Sequence, residues 1–388
     1  MNLFNATPFV ADYTFGLKKS GRNCLVIVTK ATYMLPRNNN EQPRLSKNQL
    51  DLHKSDTYSG EAGQSAPLYD NDFAPYKPKC DVILHASAYS EKPVTEMIVG
   101  FRTGKLKKLI KVIGPRYYRK AAIGVKPGEP IPFTRQPISY DTAYGGSEID
   151  NPKAPREEIT YTSFMRNPVG IGFYPNCNSD ELIDKPLPLT EAPDESTVDC
   201  KSTKPIPQAF GPVARNWSPR STLGGTYDQN WSDNVAPFLP GDFNEHYYQC
   251  APEDQQCDHL HGGEMVTLMG LVPQGNLTFH LPEEALPMQV IMTNGDRHNL
   301  DSRIDTLTIE PDENRFTLVW RAHVGIRRSK HEIGTLIVGT PTRGWEHARL
   351  VDKPYVAMKN LRSFGRYVSK LHNEQEREEK TDEPSSIN

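Results

Sequence analysis

Proline and glycine constrain this chain more than any other feature. The 388 residues contain 33 Pro and 27 Gly. They recur along almost the whole length and do not collect in one tract. Proline has no amide hydrogen and is tolerated only near the start of a helix, so long bundles and coiled coils are excluded. A mainly β chain with long, defined loops fits this punctuation. Hydrophobic residues at 36%, 9% of the chain being aromatic, supply a sizeable core, and global disorder is not expected. Lys and Arg number 45 against 48 Asp and Glu, a formal net charge of −3. That balance gives no electrostatic drive toward nucleic acid or an anionic membrane surface. No stretch reaches the roughly 18–20 apolar residues needed to span a bilayer. The first residues lack a basic region followed by an apolar run, so a signal peptide is not expected.

Strand-like runs lie toward both ends. Residues 24–35 (CLVIVTKATYML) and 80–89 (CDVILHASAY) are rich in β-branched and apolar residues. Residues 95–114 read as strand, turn, strand about Thr103-Gly104, because glycine accepts the positive φ of a tight turn. The apolar spacing of LKKLIKV also suits a helix, but flanking glycines leave it too short, so a strand is preferred. Further runs fall at 264–273, 276–281, 287–293, 315–324 and 332–338. In RFTLVWRAHV, Phe316, Leu318 and Trp320 take one face and Thr317, Val319 and Arg321 the other. Short helices are expected at 345–350 and 355–371, with a disordered tail over 372–388.

The stretch 124–261 lacks periodicity but carries Phe133, Phe164, Phe173, Trp217, Trp231, Phe238 and Phe243. Aromatic rings at that density anchor loops, so this region is expected to pack as ordered irregular structure. Its softest part is the polar stretch 176–204. The resulting expectation is a β-rich domain over 1–340, as antiparallel sheets forming a sandwich or partly open barrels. Within it, 20–123 and 262–340 read as two packed β units joined by the loops. Both units end in Gly-x-Arg, at Gly114-Pro115-Arg116 and Gly295-Asp296-Arg297. This would fit a diverged duplication, although strands also resemble one another by composition alone.

Chemical motifs are sparse. Cys250, Cys257, His259 and His261, with His246 nearby, offer zinc-ligand types, but without the close-paired spacing of a structural zinc knuckle. The expected reading is a solvated loop, no bound metal or cofactor, and six free cysteines. No nucleophile elbow, zinc-protease helix or phosphate loop is present. Glu157-Glu158 and Glu283-Glu284 sit in charged surface context.

Several separated blocks together carry a resemblance. They are GRNCLVIVTKATYML at 21–35, SAPLYDNDFAPYKPKCDVILHASAY at 65–89, IGPR at 113–116 and IPFTRQPISYDTAYGG at 131–146. The series continues with NPVGIGF at 167–173, IPQAFGPVARNWSPRSTLGGTYDQNW at 206–231 and LPGDFNEHYYQCAPEDQQ at 239–256. GGEMVTLMGL at 262–271 and TNGDR with DTLTIEPDENRFTLVWRA, ending at 322, complete it. In these blocks the chain resembles a bacterial domain-of-unknown-function family whose genes neighbour type VI secretion spike and effector genes. The resemblance covers about residues 5–335.

That resemblance implies a cytoplasmic adaptor or chaperone. Its partners would be a protein effector and the trimeric spike protein or its cone-shaped tip, which the effector is loaded onto. The alternatives are a hydrolase acting on a glycan or effector-linked substrate through Asp228, Asp242 or Glu264, and a non-catalytic structural part of the secretion machine. The family-like positions are structural or interface candidates: Asp72, Lys77, Asp81, Arg116, Asn167, Phe173, Trp217, Arg220, Tyr227, Asp228, Trp231, Asp242, Phe243, Asp254, Gln255 and Glu264. Pro115 stands where the family more usually has Gly-Asp-Arg, and Cys257, His259 and His261 lie outside its pattern. Gly224 and Gly225 would let the chain reverse so that Arg220 pairs with Asp228 or Asp242, with Trp217 and Trp231 as flanking plugs.

Overall fold

A computed structural model describes residues 1–196, 199–327 and 329–355. It divides into two compact units, Met1–Gly339 and Thr340–Asn388. In the second unit the helix Arg343–Leu350 starts where the Thr342 side chain accepts from the Trp345 amide. Beyond its first residue, the helix expected over 355–371 lies outside the described residues, as does the 372–388 tail.

The first unit is mainly β, and no sheet among the described residues closes into a barrel. Its largest sheet has seven strands. Six follow the order Gln256–Cys257, Cys80–Leu84, Arg303–Glu310, Arg315–Gly325, Asn23–Met34, Val10–Leu17, and Arg44–Leu45 pairs with the end of Asn23–Met34. A five-stranded sheet runs Thr190–Glu191, Leu106–Ile113, Glu96–Thr103, Met265–Met269, Asn276–His280. A four-stranded one runs Asn2–Asn5, Ile333–Val338, Met288–Met292, Arg297–Leu300. Most pairs are antiparallel; Cys80–Leu84 with Arg303–Glu310 and Asn2–Asn5 with Ile333–Val338 are parallel.

The expected strand runs are present, with corrections. Residues 96–113 form the hairpin, and Gly104 at φ 56° supplies its turn. The run 80–89 is not one strand: Cys80–Leu84 stays in the large sheet while Ser87–Val94 leaves to pair with Phe133–Pro137. Residues 20–123 and 262–340 do not separate into two β units. Their strands share both larger sheets: Arg303–Glu310 and Arg315–Gly325 lie between Cys80–Leu84 and Asn23–Met34, and Glu96–Thr103 pairs with Met265–Met269. The soft stretch is anchored: Leu182, Leu187 and Cys200 build a small core with Tyr118 and Cys177. In the loop region Phe133, Phe164, Phe173, Phe210, Trp217 and Phe243 are buried, leaving Trp231 half-buried and Phe238 exposed.

The large sheet separates two environments. Ile27, Ala31, Val82, Leu84, Leu307, Phe316, Leu318 and Trp320 join the main hydrophobic core shared with the other two sheets. The opposite face carries Lys30, Asp81, Asp305, Thr306, Glu310, Thr317 and Arg321, and these are buried as well. Alternation gives each strand both characters. A register shift between Ile304 and Thr306 interrupts it and sets Asp305 and Thr306 side by side on the polar face.

Candidate functional site

The polar face is covered by irregular chain, and each of its buried cations pairs with a carboxylate. Lys30 pairs with Asp72, Lys77 with Asp81, Arg321 with Asp305 and Arg315 with Glu310. Arg220 pairs with Asp70, which also takes Arg215, and Arg215 pairs in addition with Asp56. Loops cannot bury their own peptide groups without partners, and these side chains supply them. Asp81 accepts from the amides of Cys250 at 3.0 Å and Ala251 at 3.2 Å and from Gln249 Nε2 at 2.6 Å. Arg321 Nη1 donates to the carbonyls of Asp72 at 2.6 Å and Ala74 at 2.8 Å. Arg220 donates to the carbonyls of Tyr247 at 2.9 Å and Val213 at 2.7 Å. Lys30 reaches Asp51 O at 3.2 Å, and Asp72 takes the His53 amide at 2.7 Å.

Electrostatics follow the pairing. Burial alone would raise Asp81, but Lys77 and the donated amides outweigh it and hold the carboxyl below its ordinary value. Burial likewise works against charged Lys77, and Asp81 more than compensates. Glu310 behaves as Asp81 does, with Arg315 and the Tyr69 hydroxyl overcoming burial. Burial pushes Asp70 upward against Arg220 and Arg215; with both guanidinium groups donating to its oxygens, it serves as their carboxylate partner.

The structure draws several of the family-like residues into this layer and disperses the rest. Asp72, Lys77, Asp81 and Arg220 belong to it. The expected partner of Arg220 was wrong: it pairs with Asp70, not Asp228 or Asp242. Those acids are engaged locally, Asp228 capping the helix Gln229–Asn234 and Asp242 accepting from the Thr226 amide and hydroxyl. Buried Trp217 packs edge-on against Tyr140, while half-buried Trp231 does not plug the loop. Gln255 lies beside the layer, donating to Val82 O and Phe210 O and accepting from Lys108, which also pairs with Asp254. Cys250 is buried in the covering loop, correcting the expectation of a solvated one.

The other candidates sit elsewhere. Arg116 pairs with Glu191, and Asn167 Nδ2 donates to the carbonyls of Tyr140 and Tyr144. Phe173 packs with Tyr144 and Phe164. Glu264 accepts from the amides of His261 and Gly262. No group of three or more His, Cys, Asp or Glu is placed to hold a metal among the described residues.

Above the layer opens a cleft of about 470 Å³. Lys18, Lys19, Tyr76, Phe243, Tyr248 and His323 line it, together with the Arg321–Asp305 pair. Burial lowers His323, so its imidazole is held neutral more readily than in water. Leu17, where the strand Val10–Leu17 ends, also lines the cleft. The outer edge of that eight-residue strand pairs with no other strand among the described residues. At the turn that follows this strand Phe238 packs on Gly21, its backbone carbonyl takes the Trp231 indole N–H, and Tyr227 meets Trp231 edge-on. Tyr227 and Phe238 are 55% and 49% exposed. Lys18, Lys19 and Arg22 form no ion pair among the described residues, unlike every cation of the layer beneath.

Sequence reasoning missed Asp70, Lys18, Lys19 and Phe238. It also left Lys30 and Asp305 unremarked, although each is a charge flanked by residues of strand-forming type, and a charge buried in a strand calls for a partner.

Comparison with known families places the chain. A family model described as an uncharacterized protein conserved in bacteria (DUF2169) matches residues 20–321. No curated protein and no solved structure matches it.

Proposed function

We propose, from the premise that the chain belongs to the bacterial DUF2169 family, that it is a non-catalytic adaptor that holds a protein client in the cytoplasm. The observation that carries this reading is the contrast between the buried layer, whose cations are paired, and the surface over it, where Lys18, Lys19 and Arg22 form no ion pair among the described residues. Tyr227, Trp231 and Phe238 present aromatic side chains at the basic turn about Lys19 and Gly21, which follows the strand Val10–Leu17, whose outer edge pairs with no strand among the described residues. Protein-binding surfaces are enriched in such residues, and an open edge can accept an extended segment. Hydrolysis would need two carboxyls converging on one cleft. Asp228, Asp242 and Glu264 are each occupied with neighbouring backbone groups, and of the acids that line the cleft, Glu245, Asp301 and Asp305, the last two are paired with Arg303 and Arg321.

The client we propose is a type VI secretion effector, delivered to the spike or its tip. This choice rests on the sequence resemblance to a family encoded beside such genes. The test is affinity capture of the tagged protein from cells that carry its neighbouring spike and effector genes, with mass spectrometric identification. The expected result is an effector recovered by the parent. The combined Tyr227→Ser, Trp231→Ser, Phe238→Ser variant should lose that effector while its thermal midpoint stays near the parent's. Recovery of the spike without any effector would favour a structural component, and undiminished capture by the variant would sink this surface.

A further inference from the structure

The two-residue strand Gln256–Cys257 pairs antiparallel with Cys80–Leu84, and the register sets Cys257 directly opposite Cys80. Directly opposed residues in such a pair have Cα atoms about 4.5–5.5 Å apart, inside the roughly 4.4–6.8 Å range of disulfide-bonded cysteines. Both are free thiols. Cys80 is fully buried, whereas Cys257 is partly exposed. One sulfur is therefore reachable from solvent and the other waits behind it. We propose that Cys80 and Cys257 form a dithiol oxidation site that takes a small-molecule disulfide of the oxidised-glutathione class and closes to a cross-strand disulfide.

The exchange runs in two balanced steps. Cys257 thiolate attacks one sulfur of the reagent, forming a mixed disulfide and releasing one glutathione thiolate, which takes up a proton. Cys80 then loses its proton and attacks Cys257 Sγ, expelling the second glutathione. The protein loses two hydrogens and the reagent is reduced to two thiols. The order fits the two settings: the Cys80 thiol is buried and donates to the Asp81 carbonyl at 3.7 Å, whereas the neighbouring Cys80, against burial, holds Cys257 below its ordinary value. The bond would pin the segment that carries Gln255 to the strand that carries Asp81, fastening one end of the covering loop to the polar face. This inference does not depend on the adaptor reading.

The test uses the full chain, purified reduced and equilibrated in glutathione buffers of rising oxidised fraction, then alkylated and mapped by mass spectrometry. The expected product is a linked Cys80–Cys257 peptide lacking two hydrogens, with the other four cysteines alkylated. The thermal midpoint should rise on oxidation and return with dithiothreitol. In urea the pair should lose its preference over other pairings. Cys80→Ala should trap glutathione on Cys257 that the parent discharges. Linkage of any other pair, a lasting glutathione adduct on parent Cys257, or both thiols staying alkylatable throughout would overturn the proposal. Should Cys80→Ala fail to fold, the parent map in buffer and in urea decides alone.

Discussion

The two faces of the seven-stranded sheet are both buried, yet one is built from aliphatic and aromatic side chains and the other sets paired charges among small apolar clusters such as Val26, Val28 and Val319. What covers each face accounts for the difference. The apolar face meets side chains from the other two sheets, whose peptide groups are already paired within ladders. The polar face meets loops, which bring amides and carbonyls that have no ladder. Asp81, Arg321 and Arg220 take up those groups while neutralising one another's neighbours. A buried charge is costly unless paired and hydrogen-bonded, and here both conditions hold. The charges therefore specify where the loops lie, and the cleft and aromatic surface above inherit that placement.

The largest expected effect comes from breaking one pair. Lys77→Met leaves Asp81 without its ammonium partner and should cost about 3–5 kcal/mol in urea unfolding. Adding Asp81→Asn should return part of that loss, because the uncompensated charge is then gone. No recovery would mean the pair's charge is not what stabilises this face. On the other face Leu318→Ala should cost about 2–5 kcal/mol through lost burial and a cavity.

The faces should separate further with pH. Asp81, Glu310 and Asp56 have lowered folded-state values, each despite burial, through Lys77, Arg315 and Arg215 respectively. Below the ordinary carboxyl range the unfolded chain binds more protons than the fold, so stability present above that range is lost as pH falls. Burial also lowers His53, His85 and His323 from the ordinary 6.5. By the same sign, stability declines as pH drops through that value. Leu318→Ala should lower the stability curve at every pH with its slope unchanged, whereas Asp81→Asn should flatten the acid limb. Equal slopes in the two variants would erase the distinction. The smallest effect is expected at the surface pair Arg303–Asp301: Arg303→Gln should change stability by no more than about 1 kcal/mol, and less in high salt.

Much of the strand pattern was legible because period-two alternation is local. Residues 315–324 assign Trp320 and Arg321 to opposite faces directly, and both faces are as read. Legibility stopped where contacts are distant in sequence. Arg220 and Asp70 are joined across 150 positions, so the nearer acids Asp228 and Asp242 were the obvious but wrong partners. Interleaving of front and rear strands was hidden for the same reason: pairing partners leave no mark in a strand's own composition. The aromatic density of 124–261 did report ordered loops, but not which rings stay outside. Nothing in the spelling of Phe238 separates it from Phe243.

Hydrogen exchange at the Cys250 and Ala251 amides tests most directly the claim that the buried charges hold loop backbone. In Asp81→Asn one carboxylate oxygen becomes an amide donor, so the variant can no longer accept from both peptides as the parent does. The expected result is faster exchange confined to the covering loop about Cys250, with the amides of Asn23–Met34 and Arg315–Gly325 protected as in the parent. Unchanged protection at Cys250 and Ala251 in the folded variant would contradict the account.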